Sequence, residues 1–564
     1  MPTAEKQKTF HYWGRDEPAL PDRGGRLPVA LVFPQPYPLG LSTLGWQVVY
    51  RLLAREPSLV VERFFWDAKA GQCFSRDSSR PLQDFPLVCF SLNFELDCLP
   101  MVQALKGAGI PLCASDNPDW PLVMAGGPLA FLNPAPIAPS LDCLFVGEAE
   151  AGFVALCRRV ASEWFAGTAK KDCLQGLAGS RGVLVPGVSE LPVLRLTASS
   201  GRGLATPGHS CFISSEAQFR DAFLLEVNRG CPYGCRFCAA GFVYRPPRQA
   251  DVEDLKDMVR AAAPPKVGLV GTALTDWPDL LPFLKWLHER RIKFSLSSLR
   301  ADGLTMELLE FLRRTGTRTL TLALEGASRR LRRAMNKRLS EKRLLEAVAT
   351  ISGLQFNHLK LYLITGWPGE TDEDLSELGG LLQRIDAAVR KGKGGKGKGL
   401  GYLTLSVSCL VPKPWTPLQW APMAPEQLLH RRLEQIRALG RPIKGFRVEG
   451  ETPFGARLQG LIARGDASVH DLILQTAERG GSWRKGLKAW SGDPAFFLDR
   501  ERGRSEVFPW ESIDAGVDRE ALWLEWERYK QGRMSPGCSP LGCERCPGCG
   551  MERQTSGQRP APGG

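Results

Sequence analysis

The chain has 564 residues, of which 43% are hydrophobic and 24% charged, a balance typical of soluble globular domains. This length exceeds one ordinary hydrophobic core and predicts two to four domains, and the composition excludes wholesale disorder or a fibrous architecture. Lys and Arg outnumber Asp and Glu by 73 to 60, so the net charge of +13 favours acidic partners without identifying one. The 16 cysteines are the unusual feature.

Membrane insertion and export are not expected. Two stretches that are poor in charge, 27–50 and 117–141, contain repeated prolines, which a membrane-spanning helix cannot accommodate in such number. The N-terminus lacks the apolar core of a signal peptide, so we predict a cytoplasmic protein whose thiols stay reduced. Clustered cysteines then indicate metal binding or catalysis rather than disulfides.

The first predicted domain, residues 27–165, alternates short apolar runs with helical patterns, which favours an open parallel sheet of the Rossmann-like type. Gly126 and Gly127 follow one predicted strand, and Gly147 follows another. Doubly wound sheets bind ligands at such carboxyl ends of strands, so Gly126 and Gly127 are candidate cofactor-binding residues; tight turns explain them equally well. The predicted strands are 29–33, 59–65, 87–91, 122–125 and 143–146, and the helices are 41–55, 95–108 and 148–160.

Residues 166–219 are predicted to be a connector, and a regular alternation of strands and helices follows over 220–445. Six consecutive units of this kind predict a partial barrel, whose active site lies at the carboxyl ends of its strands. Residues 446–535 are expected to be mainly helical, and 536–564 form a cysteine-rich tail. The predicted barrel strands are 223–227, 267–271, 293–297, 318–324, 359–365 and 402–408, and the helices are 252–263, 280–291, 306–315, 329–353, 373–391 and 426–439.

Three cysteines follow the first predicted barrel strand. Cys231, Cys235 and Cys238 form the spacing C-x3-C-x2-C in a loop that contains glycines and a proline. A structural zinc ion requires four ligands, and no fourth Cys or His lies nearby in sequence. A four-iron cluster normally takes four cysteines, so one that is held by three keeps an iron open for a substrate or cofactor.

This loop resembles that of the radical S-adenosylmethionine (SAM) superfamily, which has the same spacing and an aromatic residue before the third cysteine, here Phe237. The resemblance covers about residues 220–445. It implies that Cys231, Cys235 and Cys238 hold a 4Fe–4S cluster whose open iron chelates SAM, and that reductive cleavage of SAM yields a 5′-deoxyadenosyl radical. It also implies an electron donor of the flavodoxin or ferredoxin type.

Other positions match the superfamily less sharply. Gly271 lies after the second strand, where the family has an acidic residue that this sequence lacks. Glu325, after the fourth strand, suits a contact to the amino or ribose group of SAM, and Ser297 and Arg300 are polar neighbours from the third strand. Gly366 begins a loop that resembles the adenine-side loop of the family. Each position is equally well explained as a turn or helix cap.

An open α/β domain before the barrel resembles the cobalamin-binding class of the superfamily, and the overall layout is similar to that of an uncharacterised subfamily without an assigned reaction. Many cobalamin proteins ligate cobalt with a histidine in the motif Asp-x-His-x-x-Gly. This sequence has no histidine between residues 12 and 208. Either cobalamin binds without a histidine ligand from its own domain, or the domain has kept the fold and lost the cofactor.

A second cysteine cluster lies near the C-terminus, with the spacing C-x4-C-x2-C-x2-C. Four closely spaced cysteines can close a tetrahedral site, so zinc and a second iron–sulfur cluster both fit. The other nine cysteines are scattered and are expected to be small buried apolar residues. The cysteines of the terminal cluster are Cys538, Cys543, Cys546 and Cys549.

Six positive charges in residues 329–338 fit contacts with RNA phosphates, although solvated helices often have the same pattern. The favoured hypothesis is a radical SAM enzyme that abstracts hydrogen or transfers a methyl group on an unassigned substrate. The alternatives are an RNA- or ribosome-associated metal-binding module without SAM cleavage, and a redox relay.

Overall fold

A computed structural model describes residues 14–15, 20–198, 203–393 and 399–537. The four terminal cysteines that are predicted to bind a metal lie outside these ranges. No helix within them is long and apolar enough to cross a bilayer.

The N-terminal part is an α/β layer built on a six-stranded sheet. Its strands are β1 Leu27–Phe33, β2 Leu59–Phe65, β3 Leu87–Ser91, β4 Leu122–Gly126, β5 Cys143–Phe145 and β6 Val183–Leu184. Their order in the sheet is β2-β1-β3-β4-β5-β6. All pairings are parallel except that of β5 with β6. The strands are almost entirely buried because helices cover both faces, as parallel sheets require. The predicted Rossmann-like domain is confirmed. Its helices are α1 Tyr37–Gly40, α2 Leu44–Ala54, α3 Cys98–Gly107, α4 Pro128–Leu132, α5 Phe153–Phe165 and α6 Lys170–Ala178.

The second part is a partial barrel of parallel strands wrapped by helices, as predicted. Its strands are β7 Phe223–Glu226, β8 Lys266–Val270, β9 Lys293–Leu296, β10 Thr319–Glu325, β11 His358–Thr365, β12 Tyr402–Cys409 and β13 Phe446–Gly450. Strands β7 to β9 form one ladder and β10 to β13 form another, and a bridge between Leu299 and Leu322 joins the two. The sheet has one strand more than the six predicted, since β13 lies beyond residue 445. The helices are α7 Val252–Ala262, α8 Leu280–Glu289, α9 Met306–Arg314, α10 Arg329–Ala334, α11 Glu341–Gly353, α12 Asp372–Lys393 and α13 Glu426–Gly440.

The two faces of the barrel strands differ in the size of their side chains. In β10, β11 and β12 the leucines alternate with less buried residues and pack into the core shared with the helices. The opposite face carries mostly short residues on β9, β10 and β12, whereas on β11 it carries Lys360, Tyr362 and Ile364. These short residues include Ser295, Thr321, Ala323, Ser406 and Ser408.

The prediction of a single helix over 329–353 is wrong, because the chain forms two helices there, α10 and α11. Asn336 adopts a left-handed backbone with a φ of 58° between the two helices. Its amide donates to Gly234 O at 3.0 Å and accepts from Ser535 N at 3.0 Å. These two distant partners fix the break, and neither is visible in the local helical pattern.

The C-terminal helices pack against both preceding parts, and one hydrophobic core runs from the N-terminal sheet through the barrel to these helices. Eight of the nine scattered cysteines are buried, as predicted, and Cys113 is half-buried. Three pairs of two-residue strands brace the junctions; one of them joins Asn228–Arg229 to Arg248–Gln249. The helices are α14 Pro453–Arg464, α15 Val469–Glu478, α16 Trp483–Ala489, α17 Pro494–Leu498 and α18 Arg519–Lys530.

Candidate functional site

The three predicted cluster cysteines lie in a half-buried loop, residues 228–238, at the carboxyl end of β7; we call it the cluster loop. The loop turns tightly at Gly230, which has a φ of 79°. A β-carbon at Gly230 would lie 2.1 Å from Tyr244 O, so only glycine fits there. Cys231 N donates to Ala240 O at 3.1 Å, which closes the loop on the following turn.

The three thiols lie close enough to interact electrostatically, and burial raises the pKa of each. Burial raises the pKa of Cys231 and of Cys235 to about 11, and a neighbouring cysteine adds to the rise in each case. Burial and Cys231 likewise raise the pKa of Cys238. Arg300 opposes the rise at Cys231, and Lys337 opposes it at Cys235.

Among the described residues, no group of three His, Cys, Asp or Glu side chains converges on a point where a single metal ion would bind. A 4Fe–4S cluster binds each cysteine through a different iron, so its ligands need not converge in this way. The donor set of the cluster loop, with three thiols that do not converge on one point, therefore fits a cluster better than it fits one zinc ion.

Arg300 packs directly on the cluster loop. Its guanidinium lies 3.7 Å from the ring centre of Tyr233, and the Tyr233 hydroxyl donates to Asp276 at 2.7 Å. Arg300 also lies 3.5 Å from the carboxylate of Asp302. Ser297, three residues before Arg300, is exposed. Arg300 thus holds the loop and places a positive charge near its thiols.

Glu325 ends β10 in a left-handed conformation, with a φ of 68°, and faces the cysteines. Its carboxylate lies 3.5 Å from Lys337 Nζ. Burial raises the pKa of Glu325, and Lys337 opposes the rise. The negative charge of Glu325 raises the pKa of Cys235 and Cys238 in turn, so this carboxylate belongs to the electrostatic environment of the loop.

Gly271 lies after β8, where it packs against the cluster loop. A β-carbon there would lie 2.7 Å from Asn228 Oδ1. The same amide oxygen accepts from Thr272 N at 2.8 Å. Gly271 therefore permits the close approach of two loops at the carboxyl ends of β7 and β8.

Gly366 begins the loop after β11 with a φ of 85°. The carboxylate of Glu370 accepts from Gly366 N at 2.7 Å and from the Thr365 hydroxyl at 2.8 Å, and burial raises the pKa of Glu370. Trp367 packs edge-on against Phe237 of the cluster loop, with 5.5 Å between ring centres. The structure thus brings the predicted adenine-side loop against the cysteine motif.

Gly126 and Gly127 lie away from the cysteines, at the carboxyl end of β4. Gly127 has a φ of 100°, and a β-carbon there would lie 2.5 Å from Leu92 O. The pair forms a tight turn that packs on the loop after β3.

The basic segment 329–338 is tied into the barrel. Its positive charges bind carboxylates, except that Arg338 donates to Ser535 O at 2.9 Å and Arg333 is exposed. A nucleic-acid partner stays a prediction. The pairs are Arg329 with Glu341, Arg330 with Asp374, Arg332 with Glu341 and Lys337 with Glu325.

The last described residues, 533–537, lie against the back of the cluster loop; we call them the strap. Arg236 is fully buried and donates to Arg533 O and Ser535 Oγ, both at 2.8 Å, and it pairs with Glu525 of α18 at 2.8 Å. At the end of the strap, a β-carbon on Gly537 would lie 3.3 Å from Pro232 O. The strap therefore reaches the loop beside Cys231.

Sequence reasoning missed the charged residue on the other side of the loop, Arg229. Its guanidinium contacts Glu148 at 2.9 Å, Glu150 at 2.8 Å and Glu226 at 2.8 Å. Burial alone would lower the pKa of Arg229, but these carboxylates raise it overall. The sequence predicts residues 147–150 to be either a ligand-binding strand end or a tight turn, and nothing in it links them to a loop 79 residues away.

Glu148 predicts a measurable dependence of stability on pH. Burial would raise its pKa, but Arg248 and Arg229 lower it from 4.5 to about 2. Because this pKa is depressed on folding, the charged carboxylate stabilises the protein above pH 4.5, and the stabilisation is lost as the pH falls to about 2. Urea unfolding should find Glu148→Gln less stable than the parent by about 3 kcal/mol at pH 7, with the difference shrinking towards pH 2. A difference that does not depend on pH would contradict the ion pairing.

Comparisons with known proteins agree with this architecture. The family description "Radical SAM proteins, N-terminal" matches residues 45–186, and "Radical SAM superfamily" matches residues 225–382. An uncharacterised protein of Methanocaldococcus jannaschii is 27% identical over 452 residues, which is 78% of this chain and 89% of that protein. The solved radical SAM methyltransferase TsrM from Kitasatospora setae, with cobalamin and a 4Fe–4S cluster bound, has a TM-score of 0.50 and 14% identity. This likeness covers 82% of the present chain and 100% of that one, and it shows the fold alone.

Proposed function

We propose, because this chain belongs to the radical SAM superfamily, that it is an enzyme that cleaves SAM reductively and starts radical chemistry on a substrate in the barrel bore. The observation that carries the proposal is the placement of Cys231, Cys235 and Cys238 together in one loop at the carboxyl end of β7. When bound and reduced, such a cluster supplies one electron to the sulfonium of SAM, which breaks into methionine and a 5′-deoxyadenosyl radical.

The residues around the loop support binding of SAM. Glu325 and Lys337 place one negative and one positive charge next to the thiols, which suits the amino and carboxylate groups of an amino acid. Trp367 and Gly366 are buried and border the cluster loop on the side of β11, where the family resemblance places the adenine-side loop.

The decisive experiment is a cleavage assay under anaerobic conditions. The protein is reconstituted with iron and sulfide, mixed with SAM and dithionite, and analysed for 5′-deoxyadenosine. We expect 5′-deoxyadenosine from the parent protein and equally from Cys113→Ala, which removes a half-buried thiol of the N-terminal domain. A fully iron-loaded sample that forms none would overturn the proposal and favour the metal-binding module.

We further propose that the terminal cysteines hold a second metal centre. The strap supports this, since it leads the chain along the cluster loop to Pro232, and the next residue in the sequence is Cys538. The presence of a first iron–sulfur cluster in the same chain favours an iron–sulfur cluster over zinc for these cysteines.

Metal analysis of a double variant tests the second centre. Replacing Cys543 and Cys546 with serine is expected to lower the iron content from about eight to about four per chain, because a four-iron cluster is lost. The cleavage of SAM by the first cluster should survive in part. A parent protein that contains about four irons and one zinc, and a variant that loses only the zinc, would instead indicate a structural zinc site. A metal content that is the same in the parent and the variant would exclude a terminal centre.

A further inference from the structure

The carboxyl edge of the N-terminal sheet, where doubly wound sheets place their ligands, is covered by protein in this chain. The loop after β3 carries Glu95, which pairs with Lys413 of the barrel and accepts from Gln459 of α14 at 2.9 Å. After β4, the amide of Asn133 donates to Ala463 O at 3.1 Å and to Gly465 O at 2.8 Å. These direct contacts join the sheet edge to the barrel and to the C-terminal helices.

Apolar packing accompanies these polar contacts. Phe131 of α4 meets Tyr244 edge-on, with 5.7 Å between ring centres. The guanidinium of Arg195 covers both rings, at 5.0 Å from Phe131 and 5.4 Å from Tyr244. Leu92 and Val146, from the loops after β3 and β5, belong to the same continuous core as the barrel leucines. The edge is thus packed like a protein interior where these residues meet.

The residues of this edge do not fit a corrin ring. The turn at Gly127 closes on Leu92 O and offers no cradle. Two buried histidines lie near the domain, and both have partners: His470 contacts Pro136 O at 3.2 Å and Ser140 at 3.4 Å, and His209 Nδ1 lies 2.9 Å from Ser210 O. His470 uses both ring nitrogens in these contacts and could ligate cobalt only by losing one of them.

The loop after β5 instead contacts the cluster loop. Glu148 is 7% exposed and binds Arg248 and Arg229, and Glu150 adds a second carboxylate to Arg229. Glu226, at the end of β7, holds Arg229 from the barrel side and accepts from Gly208 N at 2.9 Å. Arg229 stands two residues before Cys231, so the N-terminal domain holds a side chain of the loop close in sequence to the first cysteine.

We infer that the N-terminal domain of this chain binds no cobalamin and serves to hold the cluster loop, with Arg229 and Glu148 as positioning residues. The inference rests on the proposed function only for the identity of the cluster. Outer residues of this kind fix the orientation of metal ligands, and their loss typically weakens metal retention.

Two matched variants test the positioning role. Glu148→Gln and Glu95→Gln each break a buried ion pair between the N-terminal domain and the rest of the chain, but only Glu148 is connected to the cluster loop. We expect Glu148→Gln to release iron to a chelator roughly 10-fold faster than the parent and to alter the electron paramagnetic resonance spectrum of the reduced cluster. Glu95→Gln should match the parent in both measurements. Equal behaviour of the two variants would overturn the positioning role.

Cobalt analysis tests the other half of the inference. The reconstituted full-length protein is incubated with hydroxocobalamin, passed through gel filtration and analysed for cobalt and for a cobalamin absorption spectrum. We expect no cobalt above the blank, and one cobalamin per chain would overturn the inference. This outcome is independent of SAM cleavage, since a protein that fails to form 5′-deoxyadenosine contradicts the proposed function and leaves the cobalt result standing.

Discussion

Cys235→Ala is expected to abolish formation of 5′-deoxyadenosine. Its thiol lies between the other two cysteines in the sequence and interacts electrostatically with Cys238, Lys337 and Glu325. With two thiolates left, a cluster lacks the ligands that keep it in the loop, so the iron of the first site should fall from about four per chain to below about one. Iron analysis and the absorption of the reconstituted protein check this loss directly.

Two controls make the Cys235 result specific. The buried Cys409 on β12 lies in the same barrel but outside the cluster loop, so Cys409→Ala should keep the iron and the cleavage of SAM. Circular dichroism should show that Cys235→Ala keeps the parent secondary structure. An active Cys235→Ala protein would mean that the loop does not ligate the catalytic cluster.

Gly230→Ala is expected to be the most damaging single change in the cluster loop outside the cysteines. The new β-carbon would lie 2.1 Å from Tyr244 O. Because the backbone fixes the positions of both atoms, no side-chain rotation can relieve this contact. The left-handed φ of 79° adds a further cost for alanine. From the close contact and the left-handed backbone together, we expect the free energy of unfolding to fall by about 3–4 kcal/mol. Incomplete iron loading is the second expected consequence.

Gly187→Ala provides the matched control for Gly230→Ala. Gly187 has a φ of 74°, close to that of Gly230, but a β-carbon there would meet nothing within 4 Å. It should therefore lose only the backbone contribution, about 1–2 kcal/mol, and keep its iron. Equal losses in the two variants, measured by thermal or urea unfolding, would show that the contact with Tyr244 O carries no cost.

Much of this fold could be predicted because its signals are local. The strands at 59–65 and 87–91 were predicted with the observed bounds, since buried parallel strands read as short apolar runs between turns. The cysteine spacing identified the cluster loop for the same reason. Strand β13 escaped prediction because its residues are mostly exposed and polar, and only pairing with β12 defines it.

The parts that sequence could not supply depend on distant partners. The break between α10 and α11 needs Gly234 and Ser535, and the position of Arg229 needs three carboxylates from two domains. The basic residues of α10 looked like a phosphate-binding surface because their carboxylate partners lie on α11 and α12. A charge run alone does not show whether its partner is solvent, nucleic acid or the protein itself.

The strap has a consequence for how the protein matures during synthesis. Arg236 and Ser535, which contact each other directly, are 299 residues apart in the chain. A ribosome must therefore complete the barrel, the helical region and α18 before the back of the cluster loop is in place. Domains generally fold as they emerge, N-terminal parts first, but this loop is finished among the last. Iron delivery to Cys231, Cys235 and Cys238 is then expected to follow synthesis of the chain through Ser535.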